Sequence, residues 1–356
     1  MADQDPKFDV TPEKQASFPR FMYHQVTAKP QPVKDVDLSG RTALVTGSNS
    51  GVGLETSRQL LELGVSKLIL AVRDEEKGIA AAESLLAGLK GKHKPALSPD
   101  AVEVWKLDLS SYDSVVAFAD RAAKTLTRLD IAVLNAGFGP AKRVVNPATG
   151  HDEIIQVNYI STALLAILLL PLASRVRPSQ PQPTRITLTL SEVACWARFP
   201  IGKDVPILPA LDAPGKLADN TNDRMFVSKL LGHFFVRALA KVVPPSIAVI
   251  DAASPGAIHD SQFNRDIDKT PPGAVIKAVL RRIGNSSAVG ARLITDAAVN
   301  HGEDVHGQFL SFGKIVPMPP IVYTDEGAKI SAQLWKETLD ELSFANAATI
   351  VEQVSR

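Results

Sequence analysis

Thr42-Ala43-Leu44-Val45-Thr46-Gly47-Ser48-Asn49-Ser50-Gly51-Val52-Gly53 is an apolar β-type run that breaks into a glycine-spaced loop and then into an amphipathic helix predicted from about Val52 to Leu63. Glycine at 47, 51 and 53 lets the chain turn sharply and lets backbone N–H groups approach a pyrophosphate. That anion would sit at the positive N-terminus of the following helix. An ordinary strand-to-helix turn also contains glycine, so the neighbours decide. Leu68-Ile69-Leu70-Ala71-Val72-Arg73 reads as a second strand, completing the βαβ unit that a phosphate-binding turn requires.

Working outward, strand patterns recur near 42–46, 67–72, 102–106, 130–134, 185–190 and 246–251, separated by helix-length segments. Such alternation predicts an α/β fold of the Rossmann type, a doubly wound parallel sheet with helices on both faces. Gly307-Gln308-Phe309-Leu310 reads as a last strand, and Glu326 to Leu342 as a closing amphipathic helix with Trp335 on its buried side. With 356 residues and 45% hydrophobic content, a single domain over 39–345 is expected, with an N-terminal arm at 1–38 and a C-terminal tail at 346–356. The arm mixes charges, prolines and scattered aromatics (Phe18, Phe21, Tyr23), without the apolar block of a signal peptide.

Composition excludes several classes of function. Lys+Arg 39 against Asp+Glu 38 leaves a net charge of +1, with no basic stripe interleaved with aromatics, so no nucleic-acid partner is expected. The single cysteine, Cys195, excludes an internal disulfide and a cysteine-clustered metal site, and fits a reducing, cytoplasmic compartment. Cys195 itself reads as a buried small residue. The longest apolar run, Ala163 to Ala173, falls short of the roughly 20 residues that span a bilayer and reads as a buried helix. Two stretches interrupt the alternation: 196–222, and 259–287 with Pro271-Pro272-Gly273. The lysine- and glycine-containing segment 87–99 is assigned no role.

The spacing Thr-Gly-x-x-x-Gly-x-Gly over 46–53 resembles the short-chain dehydrogenase/reductase family. Asp108 in Leu107-Asp108-Leu109-Ser110, Asn135-Ala136-Gly137, and Pro255-Gly256 follow in that family's order, and the resemblance covers about residues 39 to 340. Ser191-Glu192-Val193 and the segment Asp223 to Ala240 look most like retinol-dehydrogenase-like and filamentous-fungal members. The resemblance implies a pocket-shaping insertion at 196–222 and a substrate lid at 259–287. It also implies that the Ala163–Ala173 helix can serve at a subunit interface, which makes a homo-oligomer an expectation.

The same resemblance implies a cofactor cradle of Gly47, Ser48, Asn49, Ser50, Gly51, Val52 and Gly53, with Asp108 and Leu109 at the adenine. Asn135, Ala136, Gly137, Lys229, Pro255 and Gly256 would lie along the ribose and nicotinamide side. At the end of the second strand an acid suits a free 2′-hydroxyl and an arginine suits a 2′-phosphate. Arg73 favours NADP(H), although Asp74 follows immediately. Asp108 also reads as a cap for the helix after Ser110.

Members of the family use an Asn, a Ser and Tyr-x-x-x-Lys. Asn158, Ser191 and Lys229 match three of these, and Met225 stands four residues before the lysine. Tyr23, Tyr112, Tyr159 and Tyr323 are the four tyrosines, and none has a lysine four residues on. A thioether cannot give the proton that a phenol would give a developing alkoxide; loss of such an acid costs about 10²- to 10⁴-fold in rate. Met225 also reads as plain packing. His259, Asp260, Glu192 and Tyr159 are candidate substitute acids, though each taken singly reads more readily as a lid-surface or helix-packing residue. His233, on the same helix face, lies too far along to serve.

Three functions remain open on a small, largely apolar organic substrate of specialised metabolism. The first is reduction of an activated acceptor (iminium, enone, quinone or carbonyl). The second is a redox-neutral cyclisation, cycloaddition or isomerisation in the same pocket, by orientation alone. The third is cofactor binding without catalysis. Lys229 would hold the nicotinamide ribose, Ser191 a substrate oxygen, and Asn158 a water or the helix backbone.

Overall fold

A computed structural model describes residues 8–89, 98, 100–199, 205–214, 221–263 and 271–355. Eight strands form one sheet: β1 Thr42–Thr46, β2 Lys67–Val72, β3 Val102–Lys106, β4 Ile131–Leu134, β5 Thr184–Thr189, β6 Ala248–Ala253, β7 Phe309–Ser311 and β8 Lys314–Val316. Their order is β3-β2-β1-β4-β5-β6-β7-β8. β1 pairs in parallel with β2 from Thr42↔Lys67 to Thr46↔Ala71 and with β4 from Ala43↔Ile131 to Val45↔Val133. The expected strands are present within two residues at each end, and β8 was not foreseen. It pairs antiparallel to β7 through a short turn, so the sheet is parallel in all but its last pair.

All five residues of β1 are buried because helices cover both faces. Side chains alternate between two cores with the period of a strand. Leu44, Ile69, Ala132 and Leu134 point into one core, with the helices Tyr112–Thr125, Ser161–Val176 and Thr221–Val242. Val45, Leu68, Leu70 and Val133 point into the other, with Gly51–Glu62, Glu75–Leu89 and Ser287–Val299.

Helix Ser161–Val176 buries most of its length, and its apolar surface is taken up by this chain. Leu164, Leu165 and Leu169 are fully covered. Part of the cover comes from the C-terminal helix Ala347–Ser355, which joins the same core through Ala347, Val351 and Val354. One expectation is thereby corrected. Residues 347–355 are an integral helix and no tail, because their apolar side chains recur at helical spacing.

The N-terminal arm is also ordered where it is described: helix Phe18–Thr27 packs on the molecule, and Gln25 is buried. The predicted closing helix runs Asp325–Glu341, with Trp335 packed on Phe235 at 6.2 Å between ring centroids. Of the interrupting stretches, 90–97, 99, 200–204, 215–220 and 264–270 lie outside the described residues. Ile207–Asp212 and Pro271–Ile283 are helical.

Candidate functional site

Strand order reverses at β1 and β4, where connections leave toward opposite edges of the sheet. A crevice opens there at the strands' carboxyl ends. It holds a cavity of about 560 Å³ bounded by the loops after β1, β2, β3, β4, β5 and β6.

The three glycines of the β1 loop have separate reasons. Gly47 has φ +65°, and a Cβ there would lie 3.0 Å from Ala136 Cα; Gly51 has φ +58°. A Cβ on Gly53 would sit 2.4 Å from the carbonyl oxygen of Gly47 and 2.6 Å from Asn135 Nδ2, which fixes how closely the helix packs beneath the loop. Gly47, Asn49, Ser50, Gly51 and Val52 line the cavity, where the first-turn N–H groups of helix Gly51–Glu62 have no helical acceptor. Ser48 and Gly53 lie behind that surface. The buried Ser48 hydroxyl has no hydrogen-bond partner among the described residues.

Arg73 lines the cavity just past β2. The ambiguity raised by Asp74 resolves locally. Its carboxylate pairs with Lys77 at 2.7 Å and accepts the Lys77 N–H, so it caps the helix that follows. Arg73 and Lys77 therefore face the cavity with one carboxylate between them. Asp108 lines it too, and its Oδ1 accepts the Ser110 N–H (3.0 Å) and hydroxyl (2.7 Å); the cap expected of it falls instead to Ser111, whose hydroxyl accepts the Ser114 N–H at the start of helix Tyr112–Thr125. Asn135 donates through Nδ2 to the Thr46 carbonyl, and the Ala136 N–H donates to the Thr46 hydroxyl. These bonds lock the β4 loop to the β1 loop.

At the inner end lie Ser191, Met225 and Lys229. Ser191 follows β5 in extended conformation, and its hydroxyl accepts the Val193 N–H at 3.3 Å. Met225 and Lys229 occupy successive turns of helix Thr221–Val242. Lys229 Nζ donates to the Thr189 carbonyl at 2.8 Å and lies 5.8 Å from the centre of the Phe263 ring. Burial without a carboxylate lowers its pKa to about 8. The Thr189 hydroxyl beside it is buried with no partner among the described residues.

Asn158 is a positioning residue. It sits in a π-helical turn, Gln156–Ile160, where one extra residue interrupts the helical ladder. Its amide accepts the Phe138 N–H (3.0 Å) and donates to the Phe138 carbonyl (3.1 Å) and Ser228 Oγ (3.1 Å). A Cβ on Gly137 would meet Asn158 Oδ1 at 3.0 Å, so the glycine and the asparagine specify each other.

The four substitute acids are corrected: none lines the cavity. The Tyr159 hydroxyl is buried against Thr338 Oγ1 at 2.6 Å. Glu192 is buried, and its carboxyl, raised by burial, is held between the Ser254 and Ser311 hydroxyls at the ends of β6 and β7. Asp260 accepts the N–H and hydroxyl of Ser287, both at 2.7 Å, and holds the first turn of helix Ser287–Val299. The His259 N–H donates to Asn285, and its ring lies off the cavity.

The remaining tyrosines are elsewhere as well. Tyr23 is exposed, Tyr112 bonds Glu341, and the Tyr323 hydroxyl accepts the Met318 N–H. His233 lies behind Ser191, pushed down to about 3 by burial and therefore neutral. Burial raises the Cys195 thiol to about 12, leaving it unreactive.

Sequence reasoning missed much of the apolar wall: Phe21, Phe138, Val193, Phe263 and Leu280. Phe18, Phe21 and Gln25 at helical spacing were the available signal for the first of these. The arrangement can hold a dinucleotide along the glycine loop, with an apolar molecule against Ser191, Met225 and Lys229.

The family model described as short chain dehydrogenase matches residues 41–180. The short-chain dehydrogenase fogG of Aspergillus ruber is 43% identical over 353 residues, covering 98% of this chain and 99% of its own length. The short chain dehydrogenase/reductase mfmJ of Annulohypoxylon moriforme is 39% identical over 97% of this chain and 98% of its own length. Among solved structures, the Pseudomonas aeruginosa RhlG/NADP active-site complex superposes with a TM-score of 0.56 at 25% identity, covering 77% of this chain and 95% of that one. A short chain dehydrogenase from Shigella flexneri superposes at 0.58 with 19% identity, covering 81% and 98%.

Proposed function

The chain belongs to the short-chain dehydrogenase/reductase family, and from that premise we propose that it is an NADP(H)-dependent oxidoreductase reducing an activated acceptor without a tyrosine acid. The acceptor is a small, largely apolar iminium, enone, quinone or carbonyl compound. One observation carries this reading. Ser191, Met225 and Lys229 face one cavity, and among the described residues no tyrosine lines it.

The site's own features fit the cofactor. The glycine loop and helix N-terminus suit a pyrophosphate, and Arg73 with Lys77 suits a 2′-phosphate. Asp108 and Leu109 would hold the adenine end; Asn135, Ala136, Gly137, Pro255 and Gly256 would flank the nicotinamide half. The complex of RhlG with NADP supports the same choice. When bound, the cofactor supplies a hydride.

The chain's residues do the rest. Lys229, anchored on the Thr189 carbonyl, directs an ammonium toward the ribose side and stabilises negative charge on the acceptor. The Ser191 hydroxyl donates to the acceptor's oxygen. Met225 fills the tyrosine's place with a group that keeps water out and offers no proton. An acceptor already cationic, or conjugated so that charge is delocalised, needs no simultaneous protonation.

A redox-neutral cyclase or isomerase is the second reading, favoured by the same lack of a phenol. The two separate in one experiment: titrate the protein with NADPH and NADH, then follow nicotinamide absorbance and product mass together with a candidate acceptor. Stoichiometric NADPH loss supports the reductase. Product formed with tight NADP⁺ binding and constant absorbance assigns the neutral reaction. Failure to bind either nucleotide overturns both.

A further inference from the structure

Helix Phe18–Thr27 lies outside the part of the chain matched by the family model, yet it reaches the cavity. Phe21 lines the cavity, and one turn on, Gln25 is 3% exposed. A buried amide without partners is costly, and this one has three. Oε1 accepts the Ala257 N–H (2.9 Å), and Nε2 donates to the carbonyls of Ala257 (3.2 Å) and Ile283 (3.1 Å).

The contacts fall on two segments that border the cavity: the loop after β6 and the end of helix Pro271–Ile283, whose Leu280 is part of the wall. Those segments also bond each other, Asn285 N–H to Ala257 and His259 N–H to Asn285. Gly256 has φ +73°, and a Cβ there would lie 2.9 Å from Gln25 Oε1, so the loop is shaped to receive this side chain. A third segment joins from beyond Ser191: Trp196 Nε1 donates to the Ala16 carbonyl at 2.8 Å, and the rings of Phe18 and Phe21 meet Trp196 edge-on at 5.5 Å.

We propose that helix Phe18–Thr27 is a wall of the substrate chamber, with Phe21 a specificity-determining contact for a planar aromatic acceptor and Gln25 the positioning residue that sets the loops around it. The aromatic class follows from the lining. Phe21, Phe138 and Phe263 line the cavity together with Met225 and Leu280. Rings pack on rings with a gain beyond area alone. The acceptor class rests on the oxidoreductase reading above; the wall and the latch do not.

The test uses the full chain and 9,10-phenanthrenequinone as the probe. Phe21→Ala is expected to raise the quinone KM about tenfold, the loss of one buried aromatic contact, with kcat and the NADPH KM within about twofold of the parent. Gln25→Met, close in size but without the amide, is expected to raise the quinone KM likewise. It should also speed deuterium exchange at 255–259 and 283–286 while the sheet is unchanged. Unaltered exchange in those two segments overturns the latch, and a quinone KM within twofold for Phe21→Ala overturns the wall. If the parent does not oxidise NADPH with the quinone, the oxidoreductase reading fails. Exchange still decides the latch, and quinone binding to NADP⁺-loaded protein, followed by tryptophan quenching, still decides Phe21.

Discussion

Met225 and Lys229 differ by one helical turn and by everything that matters chemically at the inner end of the cavity. If only the phenol is missing, Met225→Tyr restores a donor beside an ammonium that lowers its pKa, and reduction of simple ketones and aldehydes should rise more than tenfold, to be measured as kcat/KM with NADPH. No gain would mean the pocket has diverged beyond that one side chain. At the outer end, Arg73→Ala should weaken NADPH far more than NADH, because only the former carries the 2′-phosphate; equal losses in a fluorescence titration would sink that assignment.

Lys229 carries a stability cost with a defined pH window. Its folded pKa, about 8, is below the ordinary 10.5, so the unfolded chain binds the proton more tightly. The penalty is therefore present in full below pH 8 and fades as pH rises toward 10.5. Lys229→Met should raise apo-protein stability at pH 7 by on the order of 2 kcal/mol, the lost Thr189 hydrogen bond offsetting part of the gain. Chemical denaturation at pH 7 and pH 10 checks both the sign and its disappearance.

At the scale of elements, the π-turn Gln156–Ile160 fastens a loop to a helix. Its extra residue turns Asn158 inward, and the side chain bridges Phe138 to Ser228, tying the β4 loop to the helix that carries Met225 and Lys229. Asn158→Ala would strand the Phe138 amide and carbonyl, a loss of about 2 kcal/mol. A lower urea midpoint and weaker NADPH binding are expected together. A lower midpoint with unchanged NADPH affinity would show that the clamp serves stability alone. Helix Ile207–Asp212 is tethered similarly, since Asp212 receives both the His151 ring and the Asp152 N–H.

Across the whole molecule, that tether joins distant parts of the chain. His151 lies between Asp212 at 2.6 Å and Glu341 at 3.1 Å, linking the loop after β4, the segment after β5 and the closing helix. Burial disfavours its imidazolium, but the hydrogen bonds and charges of Asp212 and Glu341 outweigh that and push the pKa up to about 9. A raised folded pKa stabilises fully below the ordinary 6.5 and loses that contribution as pH rises through 9. The melting temperature should therefore fall between pH 6.5 and 9, and His151→Gln should flatten that slope. A parallel slope in the variant would place its origin elsewhere.

The strands and the glycine loop were legible because each depends on local chemistry, period-2 apolar alternation and glycine where φ is positive; Arg73, Asp108, Asn158, Ser191 and Lys229 were expectations of the family resemblance, and the structure brings all of these but Asn158 to the wall of one cavity. The absence of any Tyr-x-x-x-Lys was legible too, since four tyrosines can be checked one by one. What escaped depends on contacts between residues far apart in sequence. Glu192 and Tyr159 sit beside recognisable motifs, yet both point into packed interior, a direction no spacing encodes. Gln25 meets Ala257 across 232 positions, and Val351 packs into the same core as the Ser161–Val176 helix from far along the chain. The sequence by itself determined the sheet and the glycine turn at its centre. Only tertiary packing decided which walls close the cavity, because burial is a property of the assembled chain.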